Sequence, residues 1–394
     1  MTELVLIWVF WISLALGIYV YFIYPIILAI LAAMFGRKIR IDESADLPHV
    51  ALLIACYNEE GEIERKLQNA GHLDYPSDCL LVVVLNDGSK DATADIARKY
   101  SASHDIPKTE VLDFDINRGK SGAIFHGVEW LKENHPEIEI VAFTDANARL
   151  AEDALKILML PFGDEEIGCT SGLVRFEIPE NVPSGNMEDL YWKYETMLKR
   201  LSSRLGSLPG GVGSIFAVRL DAYHPISEKR GDDFELPVQA IIDGWRAVLI
   251  EDCRSYEAPS HDFITEYRRK LRITGQMIPS ALMLWWRALT RGRHLMAFQL
   301  FSHKLLRYLV PFYQILLLVI SGLLWSTAPF YQVAFLVQVI FYTLAALGYF
   351  VERAGMKPPK ILHVPLYFTM VNMASFVSII RTATGQQVTW ERNR

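Results

Sequence analysis

The stretch IEIVAFTDAN, residues 138–147, is apolar through its middle and ends on a carboxylate, Asp145, and an amide, Asn147. Side chains alternate along a strand, so residues two apart point the same way. The pair is therefore expected to offer two oxygens to one side. Hard divalent cations that carry phosphate take one or two such oxygens from protein; an Asx turn closing the strand is the structural alternative. Upstream stand three runs of the same kind, HVALLIACY (49–57), CLLVVVLN (79–86) and TEVLDF (109–114). Residues 61–71, 91–100 and those from 117 onward have helical character between them. Strands alternating with helices predict an α/β domain whose mostly parallel sheet is covered on both faces. Ligands of such sheets bind outside the carboxyl ends of the strands. Tyr57, Asn58, Glu59, Asp87, Lys120, Asp145 and Asn147 lie in or near those loops, which points to a nucleotide site. Neither a Gly-x-Gly-x-x-Gly pattern nor a Walker phosphate loop occurs, which weighs against NAD enzymes and P-loop ATPases.

The apolar residues, 51% of the 394, are unevenly spread, and the net charge of −6 gives no basic footprint for nucleic acid. Leu4 to Phe35 holds no charged residue and is long enough to span a bilayer with tilt. Tyr308 to Val351 is again uncharged and is divided by Ser326-Thr327-Ala328-Pro329. The expected organisation is an N-terminal transmembrane helix (1–40), a water-facing domain (41–277), interfacial amphipathic helices (278–303), a transmembrane hairpin (304–352), and a third apolar segment with a C-terminal tail (353–394). Trp285, Trp286, Arg287, Arg291 and Arg293 suit a helix in the headgroup layer. Arg37, Lys38 and Arg40 after the first span, with Lys304 and Arg307 before the second, place the large domain in the cytosol of a multi-pass cell-membrane protein. Lys357 and Lys360 argue for a cytosolic loop, and Arg381, Arg392 and Arg394 for a cytosolic C-terminus. Both hold only if 361–380 does not cross fully, so that segment, with Pro365 and Asn372, is expected to be interfacial or re-entrant. The four cysteines lack paired metal spacing and read as reduced, buried small residues.

Further along, GCTSGLVRF (168–176) reads as a strand and 186–205 as a helix. In PGGVGSIFAVR (209–219), Gly210, Gly211 and Gly213 before a strand allow close backbone approach by a ligand, or form a flexible loop. GDDFELP (231–237) sets Asp232 and Asp233 at a helix start, one free to cap and the other to act as a base. YRRKLRITG (267–275) is cationic, fit for a leaving diphosphate or for anionic lipid. Asp87-Gly88 alone reads as a turn, and Lys120 alone as a solvated charge or, beside Gly119 and Gly122, a phosphate contact.

Taken in order, Ala55-Cys56-Tyr57-Asn58-Glu59, Asn86-Asp87-Gly88-Ser89, Gly119-Lys120, Asp145-Ala146-Asn147, Gly210-Gly211-Val212-Gly213-Ser214, Asp232-Asp233 and Arg269-Lys270-Leu271-Arg272 resemble the membrane-bound family 2 glycosyltransferases. That group includes the cellulose, chitin and hyaluronan synthases. The resemblance implies a GT-A fold, Rossmann-like, and a nucleotide-diphosphate sugar donor, UDP-linked, bound by Tyr57, Asn58, Glu59, Asp87, Lys120, Asp145, Arg269 and Arg272. It implies Mg²⁺ or Mn²⁺ on Asp145 and Asn147, with Asp233 as the catalytic base. Gly211, Gly213, Ser214 and Asp232 fall on the acceptor side. It further implies inverting transfer to a glycan or lipid-linked acceptor at the cytosolic membrane face, in polysaccharide biosynthesis. Single-sugar transfer to a lipid carrier is the alternative, and a catalytically silent scaffold of an export complex the alternative of another class. Membrane lipids are expected partners, with a homo-oligomer or export proteins as open options. Two departures are visible: Asn147 replaces the second Asp of Asp-x-Asp, and Arg269 and Ile273 replace the Gln and Trp of Gln-x-x-Arg-Trp. The missing Trp weighs against processive polymerisation.

Overall fold

The structure is a computed structural model and describes residues 2–41, 46–104, 107–176, 187–228, 230–258, 263–356 and 358–385. Asn186, Lys357, Arg392 and Arg394, which entered the sequence reading, lie outside the described residues.

The sheet has eight strands: β1 Val50–Cys56, β2 Leu80–Asp87, β3 Lys108–Phe114, β4 Ile140–Asp145, β5 Arg149–Leu150, β6 Ile167–Phe176, β7 Phe216–Arg219 and β8 Arg246–Glu257, in the order β3-β2-β1-β4-β7-β6-β8-β5. The first four are mutually parallel. β7 then pairs antiparallel with both β4 and β6, so the sheet as a whole is mixed. Strand alternation divides the apolar runs between two cores. Leu53, Leu81, Val83, Leu85, Val141 and Phe143 face one side, and Leu52, Ile54, Val82, Val84, Ile140 and Ala142 the other. Helices α2 (Ile63–Gly71), α3 (Thr93–Ser103) and α5 (Ala154–Met159) contribute buried residues to the second core. Helices α4 (Lys120–Asn134) and α7 (Asp232–Asp243) contribute to the first. Burial on both faces is why these strands read as unbroken apolar runs. The four cysteines are free; Cys56, Cys169 and Cys253 are buried and Cys79 is half-buried.

Helix α6 spans Met187–Arg204, and α8 runs unbroken from Phe263 to Thr290. The expected boundary at 277/278 thus falls inside one helix. Its later residues Ala281, Leu284 and Ala288 are buried in the sheet's first core, which fixes the cationic turn at its start relative to the strands.

Among the described residues, three helices are long and apolar enough to cross a membrane: α1 (Glu3–Phe35), α11 (Pro329–Arg353) and α12 (Lys360–Ala383). A fourth candidate is the pair α9 (His294–Tyr308) and α10 (Val310–Leu323), bent by 49°. Pro311 lacks the N–H that would continue the helical ladder at that bend. α1 and α10 run antiparallel: Phe10 packs with Ile320, and Val20 with Leu306 and Val310. At the far end, Thr327 donates to Glu3 at 2.9 Å. On α12, Phe368 touches Tyr21 and Phe341, both at 5.8 Å, and Phe376 touches Phe312 at 5.1 Å.

Candidate functional site

β4 carries Asp145 to its carboxyl end because the preceding residue is anchored twice. Thr144 Oγ1 donates to Ser214 O at 2.8 Å and accepts from Lys66 Nζ at 2.7 Å. Lys66 sits on α2 between Ile63 and Leu67, fully inside, and also donates to Ala148 O at 2.6 Å. The strand stops at Asp145, whose carbonyl accepts from Ala148 N at 3.2 Å and closes a turn. Asn147 lies exposed in that turn. Strand alternation does not reach it, so the expected pairing of Asp145 and Asn147 on one strand face is corrected.

Burial lowers the Lys66 pKa to about 7, with Asp145 acting the other way. An unfolded lysine titrates near about 10.4, so between pH 7 and 10 the unfolded chain holds a proton that folded Lys66 has released. Stability contributed by Lys66 therefore rises with pH through this window, by up to about 1.4 kcal/mol per pH unit. The Lys66→Met chain is expected to lose that slope; apparent unfolding temperatures of both proteins from pH 6.5 to 10 measure it, and parallel curves would contradict it.

Opposite Asp145, Gly119 at φ +80° precedes α4 and lets Lys120 open the helix. Lys120 Nζ lies 2.7 Å from Asp145 Oδ1, 3.3 Å from Asp232 Oδ2 and 3.5 Å from Gly213 O. Asp232 and Asp233 begin α7. Gly213 faces all of these groups. A Cβ placed there would come within 3.4 Å of Asp233 Oδ2, 3.6 Å of Lys120 Nζ and 3.7 Å of Asp145 Oδ2. The two carboxylates expected to serve donor and acceptor thus gather around Gly213, with the Lys120 ammonium beside them.

The charges answer one another. Burial opposes the Lys120 ammonium, but Asp145, Asp232 and Asp233 outweigh it and hold its pKa above the ordinary lysine value. Burial lifts Asp232 to about 6, helped by Asp233 and Asp145 and opposed by Lys120. Glu257, at the end of β8, is raised by burial and then by Asp145. Burial lowers Arg272, with Asp145 and Asp233 pulling the other way, and its Nε is buried with no hydrogen-bond partner among the described residues.

The remaining expected residues divide. Asn58, in the left-handed region at φ +55°, ties the β1 loop to the β2 loop: its N–H donates to Ser89 Oγ at 2.9 Å and its Oδ1 accepts from Lys90 N at 2.8 Å. Glu59 N donates to Thr93 Oγ1 at 2.7 Å, and Tyr57 begins the same loop. Asp87 is buried and receives the N–H groups of Arg118 and Gly119, each at 2.8 Å. Those bonds position the start of α4 and occupy one lone pair on each oxygen. Gly211 N donates to Asp233 O at 2.6 Å, and Ser214 Oγ meets Ser255 Oγ at 2.7 Å. Arg269 forms a paired contact with Glu266 at 2.8 and 3.1 Å, so its guanidinium is partly committed inside α8. An apolar cleft of about 450 Å³, lined by Ile264, Tyr267, Tyr349 and Met370 among others, lies between α8, α11 and α12. None of Asp145, Lys120, Asp232, Asp233 and Arg272 lines that cleft.

Sequence reasoning missed Lys66, Glu257 and two further lysines. Lys199 Nζ donates to Gly211 O at 2.8 Å, and Lys304 Nζ lies 5.4 Å above the Phe234 ring. Only Lys66 left a trace, as a lysine on the apolar side of an amphipathic helix.

No group of three or more His, Cys, Asp or Glu able to hold a metal gathers among the described residues. A divalent cation held by one carboxylate and the phosphates of a bound substrate needs no such group. The third-exposed Asp145 side chain and the unpartnered Arg272 Nε fit a cation–diphosphate pair; exposed Asn147 has no described contact that brings it there.

Residues 51–226 match the family model described as Glycosyl transferase family 2. The chain is 26% identical over 186 residues to a poly-β-1,6-N-acetyl-D-glucosamine synthase from Staphylococcus epidermidis, an alignment covering 47% of this chain and 42% of that one. It is 27% identical over 235 residues to a β-monoglucosyldiacylglycerol synthase from Trichormus variabilis, covering 58% and 48%. The chain thus spans less than half the length of these curated relatives. Among solved structures it is similar to the mannosyltransferase PcManGT from Pyrobaculum calidifontis, in complex with GDP-Man and Mn²⁺. The TM-score is 0.71 at 21% identity, over 96% of this chain and 100% of that one. That likeness establishes the GT-A fold.

Proposed function

We propose, from the match of residues 51–226 to the Glycosyl transferase family 2 model, that the chain moves a sugar from a nucleotide-diphosphate donor to a hydroxyl-bearing acceptor with inversion. The supporting observation is the convergence of Asp145, Lys120 and Asp233 on Gly213. Asp233 takes the acceptor hydroxyl proton as its oxygen bonds to the anomeric carbon. The bond from that carbon to the diphosphate breaks, and the nucleoside diphosphate leaves with the electron pair. Lys120 and Arg272 face the charge that develops on the leaving group. Asp145 would hold Mg²⁺ or Mn²⁺, which adds charge neutralisation at the diphosphate when bound. Asp87, with Tyr57, Asn58 and Glu59, borders the nucleoside end.

We place the catalytic domain on the cytosolic side of the cell membrane, from the basic flanks Arg37, Lys38 and Arg40 and Lys304 and Arg307. In that placement α12 lies interfacially. The named relatives make a polysaccharide and a glycolipid, so a growing glycan and a lipid are the two acceptor classes in view. Ile273 in place of the family's Trp favours one addition to a lipid-linked acceptor within polysaccharide biosynthesis.

The test is to incubate the purified full-length chain with single UDP- and GDP-sugars, Mg²⁺ or Mn²⁺, and a membrane lipid extract, and to measure nucleoside diphosphate release. Release with one donor, abolished by chelation, is the expected result. No release with any donor would overturn the reading.

A further inference from the structure

Four cations, Lys120, Arg272, Lys199 and Lys304, lie within electrostatic reach of Asp233. Lys120 and Arg272 stand toward Asp145 and match a donor diphosphate. Lys199 and Lys304 form a second bank, which the reaction as described does not use.

The second bank is rigidly built. Residues Leu300–Leu305 of α9 are π-helical, a deviation often found at functional sites. Around it, Tyr19 and Ser302 hydroxyls meet at 2.8 Å, and the Tyr24 ring stacks on His303 at 5.7 Å. Glu195 of α6 is bound by Arg307 and lies 3.6 Å from His303 Nε2. This clamp ties α1, α6 and α9 together, and Lys304 projects from it over Phe234, the residue after Asp233. Lys199, one turn along α6 from Glu195, reaches Gly211 O, and Gly211 N in turn bonds Asp233 O. Both ammoniums interact electrostatically with Asp233. Lys304 makes no ion pair or hydrogen bond among the described residues, and the Glu195 carboxylate nearest it is shared with Arg307 and His303. A half-buried ammonium in that position is short of an anion.

Height in the bundle says where the anion comes from. Lys304 lies beside Leu306, which packs on Val20, and on the segment that holds Tyr19 and Tyr24. That is the end of the apolar bundle where it meets the sheet domain, the depth of lipid headgroups.

We propose that Lys199 and Lys304 form a phosphate subsite for the acceptor, a membrane lipid whose headgroup carries a phosphate and a free hydroxyl. The phosphate sits on the two ammoniums and the hydroxyl faces Asp233. This rests on the transferase reading and narrows its acceptor class to an anionic lipid.

The test uses the full chain in nanodiscs, with dodecyl phosphate as probe and inorganic phosphate and dodecyl maltoside as comparisons, and measures nucleoside diphosphate binding on the same samples. Dodecyl phosphate is expected to bind wild type, about tenfold or more weaker to Lys304→Gln, since a hydrogen bond to a charged group contributes about 1.5–3 kcal/mol. Lys304→Arg should recover most of the loss, which also separates a lost charge from a misfolded chain. Inorganic phosphate and dodecyl maltoside should bind far more weakly. Equal affinity of wild type and Lys304→Gln for dodecyl phosphate would overturn the subsite, and inorganic phosphate binding as well as dodecyl phosphate would overturn the lipid. A tenfold fall in nucleotide affinity in Lys304→Gln would assign the residue to the donor and overturn the proposal as well. Wild type that binds dodecyl phosphate but no nucleotide would instead defeat the transferase reading.

Discussion

Asp233→Asn is expected to stop transfer while leaving the donor bound. Loss of a positioned general base typically costs about 10²–10⁴-fold in rate. The substitution is nearly isosteric and leaves the backbone untouched, so Asp233 O still accepts from Gly211 N and α7 still begins at Asp232. Lys120 keeps its pairs with Asp145 and Asp232, and the donor side should hold nucleotide within about threefold of wild type. Single-turnover kinetics with saturating donor, beside calorimetric nucleotide binding, separates the two effects. A turnover rate unchanged by Asp233→Asn would remove it as base. Buried Asp232, lifted to about 6, would then be the next carboxylate to examine.

Asp145→Asn should act on the donor side of the same cluster. The change takes away the carboxylate closest to Lys120 and leaves Asp232 as that lysine's remaining ion-pair partner. Deleting one group that stabilises developing charge costs about 10²–10³-fold in turnover, and nucleotide affinity and divalent-metal dependence should fall with it. Asn147→Ala, a change in the exposed turn, should stay within about twofold of wild type. Titrating Mn²⁺ against nucleotide release in the three proteins decides the matter. If Asn147→Ala proves as damaging as Asp145→Asn, the amide does reach the diphosphate.

Much of this arrangement could be read before any coordinates. β1, β2 and β4 are buried on both faces, and that burial wrote itself into VALLIAC, LLVVVL and IVAFT as continuous apolar runs. Asp145, Lys120 and Asp233 were legible because each sits where a strand or helix begins or ends. The mixed half of the sheet was not: the antiparallel pairing of β7 with β4 and β6 joins Phe216–Arg219 to residues more than forty positions away, and no local period records it. Asn147 was misplaced because alternation was carried past the last strand residue into a turn. Lys66 was overlooked because a lysine beside Ile63 and Leu67 is ordinarily taken for a surface residue; its position on the apolar face was the clue. Lys199 and Lys304 come from helices about a hundred residues apart and reach the neighbours of Asp233, Gly211 and Phe234, only in three dimensions.

Gly213 has a practical consequence for redesign. The segment around it is pinned by Lys199 at Gly211 O, by Ser171 Oγ at Val212 N and by Thr144 at Ser214 O. The main chain that these side chains face is consequently held from three directions. On the proposed reading, an engineer wishing to change which nucleotide is accepted would leave residues 211–214 alone and vary the loops after β1 and β2, which that reading sets at the nucleoside.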